Sequence, residues 1–433
     1  MVRSSSGRCR WVTERVADEL ADIYRREVGR CTATLIRILG DIDLAEDAVA
    51  EAFAIAAAQW PTKGVPPNPG GWLTATARNR AIDRLRREST RERRHLDAHR
   101  LHSDTTMAAH PNDPDPLKLD ALIDVVPDDQ LRLMFLCCHP ALAADAQVAL
   151  TLRLLGGLET PEIARAFLVP EATMAQRIVR AKRKLRDNHA PYRVPRDAQL
   201  PDRLHAVLTA VYLIFTEGHT STSGSSLTRV DLAAEAIRLG RVLAELMPDE
   251  PEAVGLLALM LLTEARRPAR TAADGSMVRL ADQDRALWDR GQIAEGHALA
   301  RACLRRNAPG PFQIQAAIAA VHADATSPDG TDWAQIVALY DQLHALRPTD
   351  VVALNRAVAI GELKGATAGL AALDALDAEV LAKFQPFHAT RADLLARAGR
   401  RDEALVAYDR ALELSGNQPE RAFLQRQRAR IAR

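Results

Sequence analysis

The chain has 433 residues and a formal net charge of +1, with 47% hydrophobic and 26% charged residues. This balance is that of a globular protein with a buried core, and the length corresponds to roughly two to four domains. Aromatic residues make up only 4% of the chain, and alanine, leucine and arginine are abundant, which favours helices over sheets. The N-terminus lacks the apolar run of a secretion signal, and the longest uncharged apolar run, residues 253–263, is far shorter than the ~20 residues of a membrane span. We therefore expect a soluble, cytoplasmic protein with no membrane segment.

The first informative helix is predicted over residues 43–60 and is acidic at its start. Asp43 stands at the N-cap position and Glu46 follows three residues later, which is the spacing of a capping box. Asp47 and Glu51 extend the acidic side. The apolar side consists of Leu44, Ala48 and Phe53. Taken alone, the pattern predicts an ordinary helix of a helical bundle.

A proline- and glycine-rich loop, residues 61–71, is expected next and leads into a basic helix. Residues 72–100 contain nine arginines and four acidic residues. One face of this helix carries Asn79, Asp83 and Arg86; the stripe beside it carries Arg80, Arg84 and Arg87; and Leu73, Ala77, Ala81 and Leu85 point inward. An asparagine between arginines can hydrogen-bond a base, and Trp72 can stack on an unpaired one. This helix is therefore suited to nucleic acid.

The cysteines and histidines give no metal-binding pattern. Cys137, Cys138 and His139 are adjacent and lack the C-x2-C spacing that wraps zinc, so buried thiols are expected there. The remaining cysteines are too scattered for a disulfide framework. A helical row of histidines, His95, His99 and His102, lies among arginines and is interpreted as a solvated face. The polar, proline-rich residues 101–118 predict a flexible linker.

Residues 157–186 predict a helix-turn-helix. Thr160 can cap the first helix with Pro161 at its first position, and the second helix covers residues 171–185. Its inner stripe is Met174, Ile178, Ala181 and Leu185, and its outer face carries Gln176, Val179, Arg180 and Arg183 with Arg177 and Lys184 on the flank. A packed stripe opposite polar tips and cations is what a recognition helix in the major groove needs. The alternative is a basic amphipathic helix on a solvated surface.

The second half of the chain shows a period of 34 residues. Gly365 and Gly399 are 34 residues apart, and Tyr340 and Tyr408 are separated by twice that. The period and the order of small and large residues predict helix pairs of the tetratricopeptide (TPR) kind, stacked into a solenoid with a concave groove. We expect residues 266–292 to form a loop and a short helix that project from the array, and residues 211–237 to form a structured joint. The alternative for this half is an unspecialised helical bundle.

The order of these blocks resembles bacterial RNA polymerase sigma factors of the extracytoplasmic-function (ECF) group. The resemblance rests on the D-x-A-E-D-A-V-x-E-A-F helix, the loop, the G-W-L-x-x-x-A-R-N-x-A-I-D-x-L-R-R helix, the linker and the helix-turn-helix. It implies an all-α protein with a sigma region 2 bundle, a region 4 helix-turn-helix domain and a TPR-like solenoid. The implied boundaries are 10–100 for region 2, 101–118 for the linker, 119–190 for region 4 and 191–433 for the C-terminal regulatory domain.

The resemblance also assigns roles to residues. The −10 element would be bound and melted by Trp72, Asn79, Arg80, Asp83, Arg86 and Arg87. The −35 duplex would be read by Thr173, Gln176, Arg177, Arg180, Arg183 and Lys184. The helix of residues 47–59 would dock on the β′ clamp helices of the polymerase through Asp47, Glu51, Phe53 and Gln59, and region 4 would touch the β-flap. Such factors often carry arginine where this chain has Ala175, which puts the identity of the −35 sequence in doubt.

We therefore expect a sigma factor without an enzymatic reaction, catalytic residue or cofactor. Its partners would be core RNA polymerase, promoter DNA as duplex and as non-template strand, and a protein ligand of the TPR groove. A subgroup of ECF factors carries such a TPR extension, which is thought to control activity. The alternatives are a stand-alone helix-turn-helix regulator with a TPR sensing domain, which leaves residues 43–90 unexplained, and a scaffold built around the groove.

Overall fold

A computed structural model describes residues 6–100, 128–167, 169–195, 199–220, 228–272 and 275–432. The described residues form helices and no strand; one isolated bridge joins Thr271 to Met277. The expected all-α fold is confirmed. The chain divides into two compact units, residues 1–207 and 208–433.

The first unit contains seven helices in its described residues before the helix in which the boundary falls. They are α1 (Ser6–Leu39), α2 (Ile42–Lys63), α3 (Pro69–Arg100), α4 (Asp128–Cys137), α5 (Ala144–Leu154), α6 (Thr160–Ala166) and α7 (Glu171–Asp187). Helices α1, α2 and α3 pack on one another, and the group from α4 to α7 packs on α1. The approach is closest at Gly29 of α1, where a Cβ atom would lie 2.8 Å from the carbonyl oxygen of Leu155.

Two local predictions in this unit are corrected. The N-cap of α2 is Asp41, whose carboxylate accepts the N–H of Leu44 at 2.9 Å, so Asp43 lies in the first helical turn. The proline- and glycine-rich loop is shorter than the predicted residues 61–71, because α2 continues to Lys63 and α3 already begins at Pro69. A proline is tolerated at a first helical position because the N–H it lacks has no partner there.

The second unit is a stack of helices in chain order. After α8 (Leu200–His219), in which the boundary between the units falls, come α9 (Val230–Leu246), α10 (Pro251–Glu264), α11 (Arg290–Arg305), α12 (Pro311–Asp324), α13 (Trp333–Leu346), α14 (Asp350–Lys364), α15 (Ala366–Asp374), α16 (Gln385–Arg397), α17 (Arg401–Leu414) and α18 (Gln418–Ala432). From α9 onward each helix packs on the one that follows it. Stacking of sequence neighbours is typical of a solenoid.

The 34-residue spacing marks equivalent turns in this stack. Gly365 follows α14 with φ 92° and Gly399 follows α16 with φ 78°. Glycine suits these positions because a Cβ atom strains the left-handed backbone conformation. The two glycines therefore end corresponding helices of successive pairs.

The insert of residues 266–292 is more firmly held than predicted. It contains three single turns of 3-10 helix, Arg267–Ala269, Leu280–Asp282 and Arg285–Leu287. At one end Arg270 donates to the carbonyl oxygen of His219, and at the other Arg285 donates to the carbonyl oxygens of His322 and Ala325. These buried guanidinium contacts tie both ends of the insert to the second unit, which corrects the prediction of a projecting segment.

Candidate nucleic-acid interface

The helix-turn-helix is formed by α6, the turn after it and α7. The inner stripe of α7 is confirmed: Met174, Ile178, Ala181 and Leu185 are all at most 5% exposed. The cap of α6 differs from the prediction. Thr160 is already the first helical residue, and the carboxylate of Glu162 accepts the N–H of Glu159 at 2.7 Å.

The outer face of α7 is open to solvent. Thr173, Gln176, Arg180, Arg183 and Lys184 are exposed. Arg180 donates to the Gln176 side-chain oxygen at 3.4 Å, which holds two predicted base-contacting groups side by side. Arg183 and Lys184 have no carboxylate partner among the described residues, so their charges are available to phosphates.

The predicted −35 contact Arg177 differs from the rest of its set. Its side chain is only 28% exposed and pairs with Asp145 of α5 at 3.5 Å. A cation held at the base of the helix-turn-helix stabilises the packing of α5 on α7. Reaching a phosphate would require Arg177 to leave this carboxylate.

Two further cations of α7 contact α2 and were not predicted as a group. Lys182 lies 2.8 Å from Asp43 and also contacts Glu46, while Arg186 lies 2.7 Å from Asp43. Glu46 also accepts from Arg153 of α5 at 2.9 Å. We call these five residues the α2–α7 clasp.

The charges of the clasp stabilise one another. Burial opposes the ionisation of Asp43, but hydrogen bonding and attraction from Lys182 and Arg186 outweigh it and lower the pKa of the Asp43 carboxyl. Burial likewise opposes the charge on Lys182, but Glu46 and Asp43 outweigh it and raise the pKa of the ammonium group. Both groups are thus more fully charged at neutral pH than they would be if buried alone.

The basic helix α3 presents the predicted polar face to solvent. Asn79, Arg80, Asp83 and Arg87 are exposed, while Leu73, Ala77 and Ala81 are buried as predicted. The side chain of Arg86 lies outside the described part of the structure, as do the side chains of His95 and His99 and all of residues 101–127.

Trp72 is held at the start of α3 by a second indole. The ring is half-buried and meets buried Trp60 of α2 edge to face, with 5.4 Å between the ring centroids. Asn68 fixes the turn before it, because its side-chain oxygen accepts the N–H of Gly71 at 3.0 Å. Trp72 therefore keeps one accessible side at the end of the polar face of α3.

Three of the four α2 residues predicted to contact the polymerase have accessible side chains, and the fourth requires a correction. Glu51 is exposed, Asp47 pairs with Arg84 of α3 at 2.7 Å, and Gln59 accepts from Lys63 at 3.3 Å. Phe53, by contrast, is 7% exposed and packs edge to face on Tyr24 with 4.7 Å between centroids. Its ring belongs to the core of the first unit, so it supports α2 from inside and does not present a contact surface.

Cys137 and Cys138 of α4 and the turn after it are buried thiols, as expected. Cys137 and Cys138 are at most 1% exposed and unpaired, and burial raises the pKa of Cys138 to about 12. No metal-holding group of histidine, cysteine or acidic residues occurs within the described ranges. Within the same ranges no helix combines the length and the apolar character needed to cross a membrane.

Comparisons with known proteins agree with this geometry. Residues 23–91 match the family described as Sigma-70 region 2, residues 132–185 match Sigma-70, region 4, and residues 203–304 match a family of unknown function, DUF6596. The uncharacterized protein R00370 of Rhizobium meliloti (strain 1021) is 44% identical over 399 residues, 92% of each chain. That identity over nearly the whole length places the two chains in one family.

A second relative bears a functional name. The probable ECF RNA polymerase sigma factor SigI of Mycobacterium tuberculosis (strain H37Rv) is 27% identical over 196 residues, which cover 45% of this chain and 62% of SigI. The region 2 and region 4 matches, together with the similarity to SigI, support an ECF-type sigma factor. Helices α1 to α3 of this sigma factor thus carry region 2, and α4 to α7 carry region 4. No solved structure matches the chain.

The two sigma regions indicate the class of function. Sigma factor families bind core RNA polymerase and promoter DNA and start transcription without an enzymatic reaction of their own. The chain therefore has a sigma factor role. The clasp between regions 2 and 4 could not have been found from the sequence, since its partners are separated by 107 to 143 residues.

Proposed function

We propose that this sigma factor directs core RNA polymerase to promoters by reading −35 duplex DNA with α7 and by holding the melted −10 element on α3. In α7 the reading residues are Thr173, Gln176, Arg180, Arg183 and Lys184, with Arg177 joining them after leaving Asp145. In α3 they are Trp72, Asn79, Arg80, Asp83, Arg86 and Arg87. Asp47, Glu51 and Gln59 of α2 face the β′ clamp helices, and region 4 touches the β-flap.

The observation that carries this proposal is the division of the cations of α7. Lys182 and Arg186 are neutralised inside the first unit by Asp43 and Glu46, whereas Arg183 and Lys184 face solvent without a carboxylate partner among the described residues. A cation that is not needed for packing can displace counterions from DNA phosphates. The exposed pair Gln176 and Arg180 beside them has hydrogen-bonding groups suited to base edges in the major groove.

We further propose that the second unit is a TPR-like regulatory domain that modulates the sigma regions. The successive packing of α9 to α18 and the equivalent glycines Gly365 and Gly399 support helix pairs of this kind. The concave side of such a stack is a surface on which a protein signal can bind.

Promoter-specific run-off transcription with purified core polymerase tests the proposal. Transcripts from a cognate promoter should depend on the added protein. If the protein binds duplex DNA but transcription does not depend on adding it, a stand-alone helix-turn-helix regulator is supported instead. Weak DNA binding that is insensitive to salt would support a scaffold, because phosphate contacts impose a steep salt dependence.

A pair of variants separates the two DNA-binding roles. Asn79→Ala should leave duplex binding intact but reduce strand opening, measured by permanganate reactivity of unpaired thymines. Gln176→Ala should weaken duplex binding and leave strand opening per bound complex unchanged. Equal loss of both readouts in Asn79→Ala would mean that Asn79 only positions α3.

A further inference from the structure

The second unit contains a cavity of about 730 Å³ between the insert and the helices from α12 to α18. This volume is in the range of small-molecule sites, roughly 300–1,000 Å³. Aromatic side chains form much of its wall: Trp333, Tyr340, Tyr408 and Phe423. The insert closes one side with Arg279, Leu280 and Arg285. The cavity thus combines flat apolar surfaces with a charged rim.

Two phenol hydroxyls in this wall lack protein partners. Tyr408 is 3% exposed, and neither its hydroxyl nor that of Tyr340 makes a hydrogen bond to any described residue. Burial raises the pKa of each phenol to about 12. Both hydroxyls are therefore protonated at neutral pH and offer hydrogen-bond donors to whatever occupies the cavity.

One end of the cavity is positively charged. Arg285 is 8% exposed and donates to the carbonyl oxygens of His322 at 2.8 Å and Ala325 at 2.6 Å. Its guanidinium carbon lies 4.6 Å above the ring of Trp288. Among the described residues no carboxylate pairs with Arg285. Its positive charge therefore remains uncompensated beside the cavity.

A second guanidinium lies behind this end. Arg266 does not line the cavity, but its charge acts on that of Arg285, which does. Burial, together with the charges of Arg270 and Arg285, lowers the pKa of Arg266 to about 10. No carboxylate in the described ranges pairs with it, and its Nε has no hydrogen-bond partner there. A buried cation without a counterion costs free energy unless an anion compensates it.

Two acidic side chains of the cavity, Glu362 and Asp393, lie in a separate ion-pair network, and the third, Asp329, is exposed. Arg397 pairs with Glu362 and lies 3.5 Å from Asp393, which is 3.9 Å from Arg279. His322, which lines the positive end, has its pKa lowered to about 4 by burial and by Arg266 and Arg285. A neutral His322, whose Nδ1 has no partner among the described residues, adds a polar contact without repelling either sign of charge.

We propose that this cavity binds a small organic anion, with its anionic group at the Arg285–His322 end, backed by the charge of Arg266, and its apolar body between Trp333, Tyr340 and Tyr408. The unpaired guanidinium groups compensate the anion, and the two free phenols complete its hydrogen bonds. The site lies entirely within the second unit. It does not depend on how the protein acts on promoters.

Two matched dyes test the proposal on the full chain. The probe 8-anilinonaphthalene-1-sulfonate carries an aromatic body and one negative charge, and N-phenyl-1-naphthylamine is the same body without the sulfonate. We expect one equivalent of the sulfonate dye to bind, with energy transfer from Trp333 and Trp288 that is reduced in Trp333→Phe. The neutral dye should bind at least about tenfold more weakly, as a charge-assisted hydrogen bond requires. Equal binding of both dyes would overturn the anionic site.

Neighbouring arginines supply the control. Arg266→Met should weaken binding of the sulfonate dye, because it removes positive charge behind the anionic group, and should not lower the unfolding midpoint, because it removes an uncompensated cation. Arg267→Met removes the ion pair with Glu264 at 2.6 Å, so it should lower the midpoint and leave dye binding unchanged. Tyr408→Phe, which keeps the ring and removes the free hydroxyl, should weaken dye binding independently of the arginines. Unchanged affinity in both Arg266→Met and Tyr408→Phe would refute the proposed site.

Discussion

Replacing Lys182 by methionine tests whether the α2–α7 clasp stabilises the first unit. Lys182 is 15% exposed and contacts Glu46, which is 14% exposed, and Asp43, which is 51% exposed. Methionine keeps the apolar stem in place and removes only the charge. The variant therefore isolates the ionic contribution of one side chain.

The expected loss of stability depends on the ion pairs that Glu46 and Asp43 retain in the variant. Breaking an isolated buried pair costs about 3–5 kcal/mol, because one charge is left without a partner. Here Glu46 keeps Arg153 at 2.9 Å and Asp43 keeps Arg186 at 2.7 Å. The exposed contact with Asp43 is screened by solvent, so the remaining loss is one charge-assisted hydrogen bond, about 1.5–3 kcal/mol.

Hydrogen exchange measured by mass spectrometry reports this loss of stability separately for each helix. A change of about 1.5–3 kcal/mol corresponds to roughly 10–150-fold faster exchange of the protected amides in α2 and α7. Lys184→Met is the matched control, since Lys184 is exposed and has no carboxylate partner in the described part of the chain. A surface substitution of this kind changes the free energy of unfolding by at most about 0.5 kcal/mol. Equal exchange in the two variants would refute the stabilising role of the clasp.

Three further predictions concern acid, DNA and packing. Because the folded-state pKa of Asp43 is lowered, the stability that its ionised carboxylate contributes is present above the ordinary pKa near ~3.9 and is lost as pH falls through the folded-state pKa. The difference in unfolding free energy between wild type and Asp43→Asn should therefore shrink in acid. A difference that stays constant with pH would contradict this. Arg180→Ala should weaken −35 duplex binding by about 1–3 kcal/mol in fluorescence anisotropy, and an unchanged footprint would remove it from the site. Gly218→Ala should lower the unfolding midpoint by the equivalent of about 1–3 kcal/mol, since a Cβ atom would lie 2.3 Å from the backbone nitrogen of Ala233; a stable variant would mean that α8 can move.

Local periodicity explains what could be predicted about the DNA-facing helices. The stripe of Met174, Ile178, Ala181 and Leu185 is buried as predicted, because residues three and four apart share a face of any α-helix. The same reasoning predicted the exposed side of α3. It failed for Phe53, since an aromatic residue on a helix can pack in the core or face a partner, and only its contact with Tyr24 decides between them.

By itself the sequence determined the helical class, the order of the two sigma regions and the faces of their helices, because these depend on spacings of a few residues. Only the tertiary structure decided which charges pair. Glu46 meets Arg153 across 107 residues of chain, and the cavity joins residues from Arg279 to Leu424. The physical reason is that a charged side chain can pair with any opposite charge brought near it. Which one comes near depends on how the helices pack.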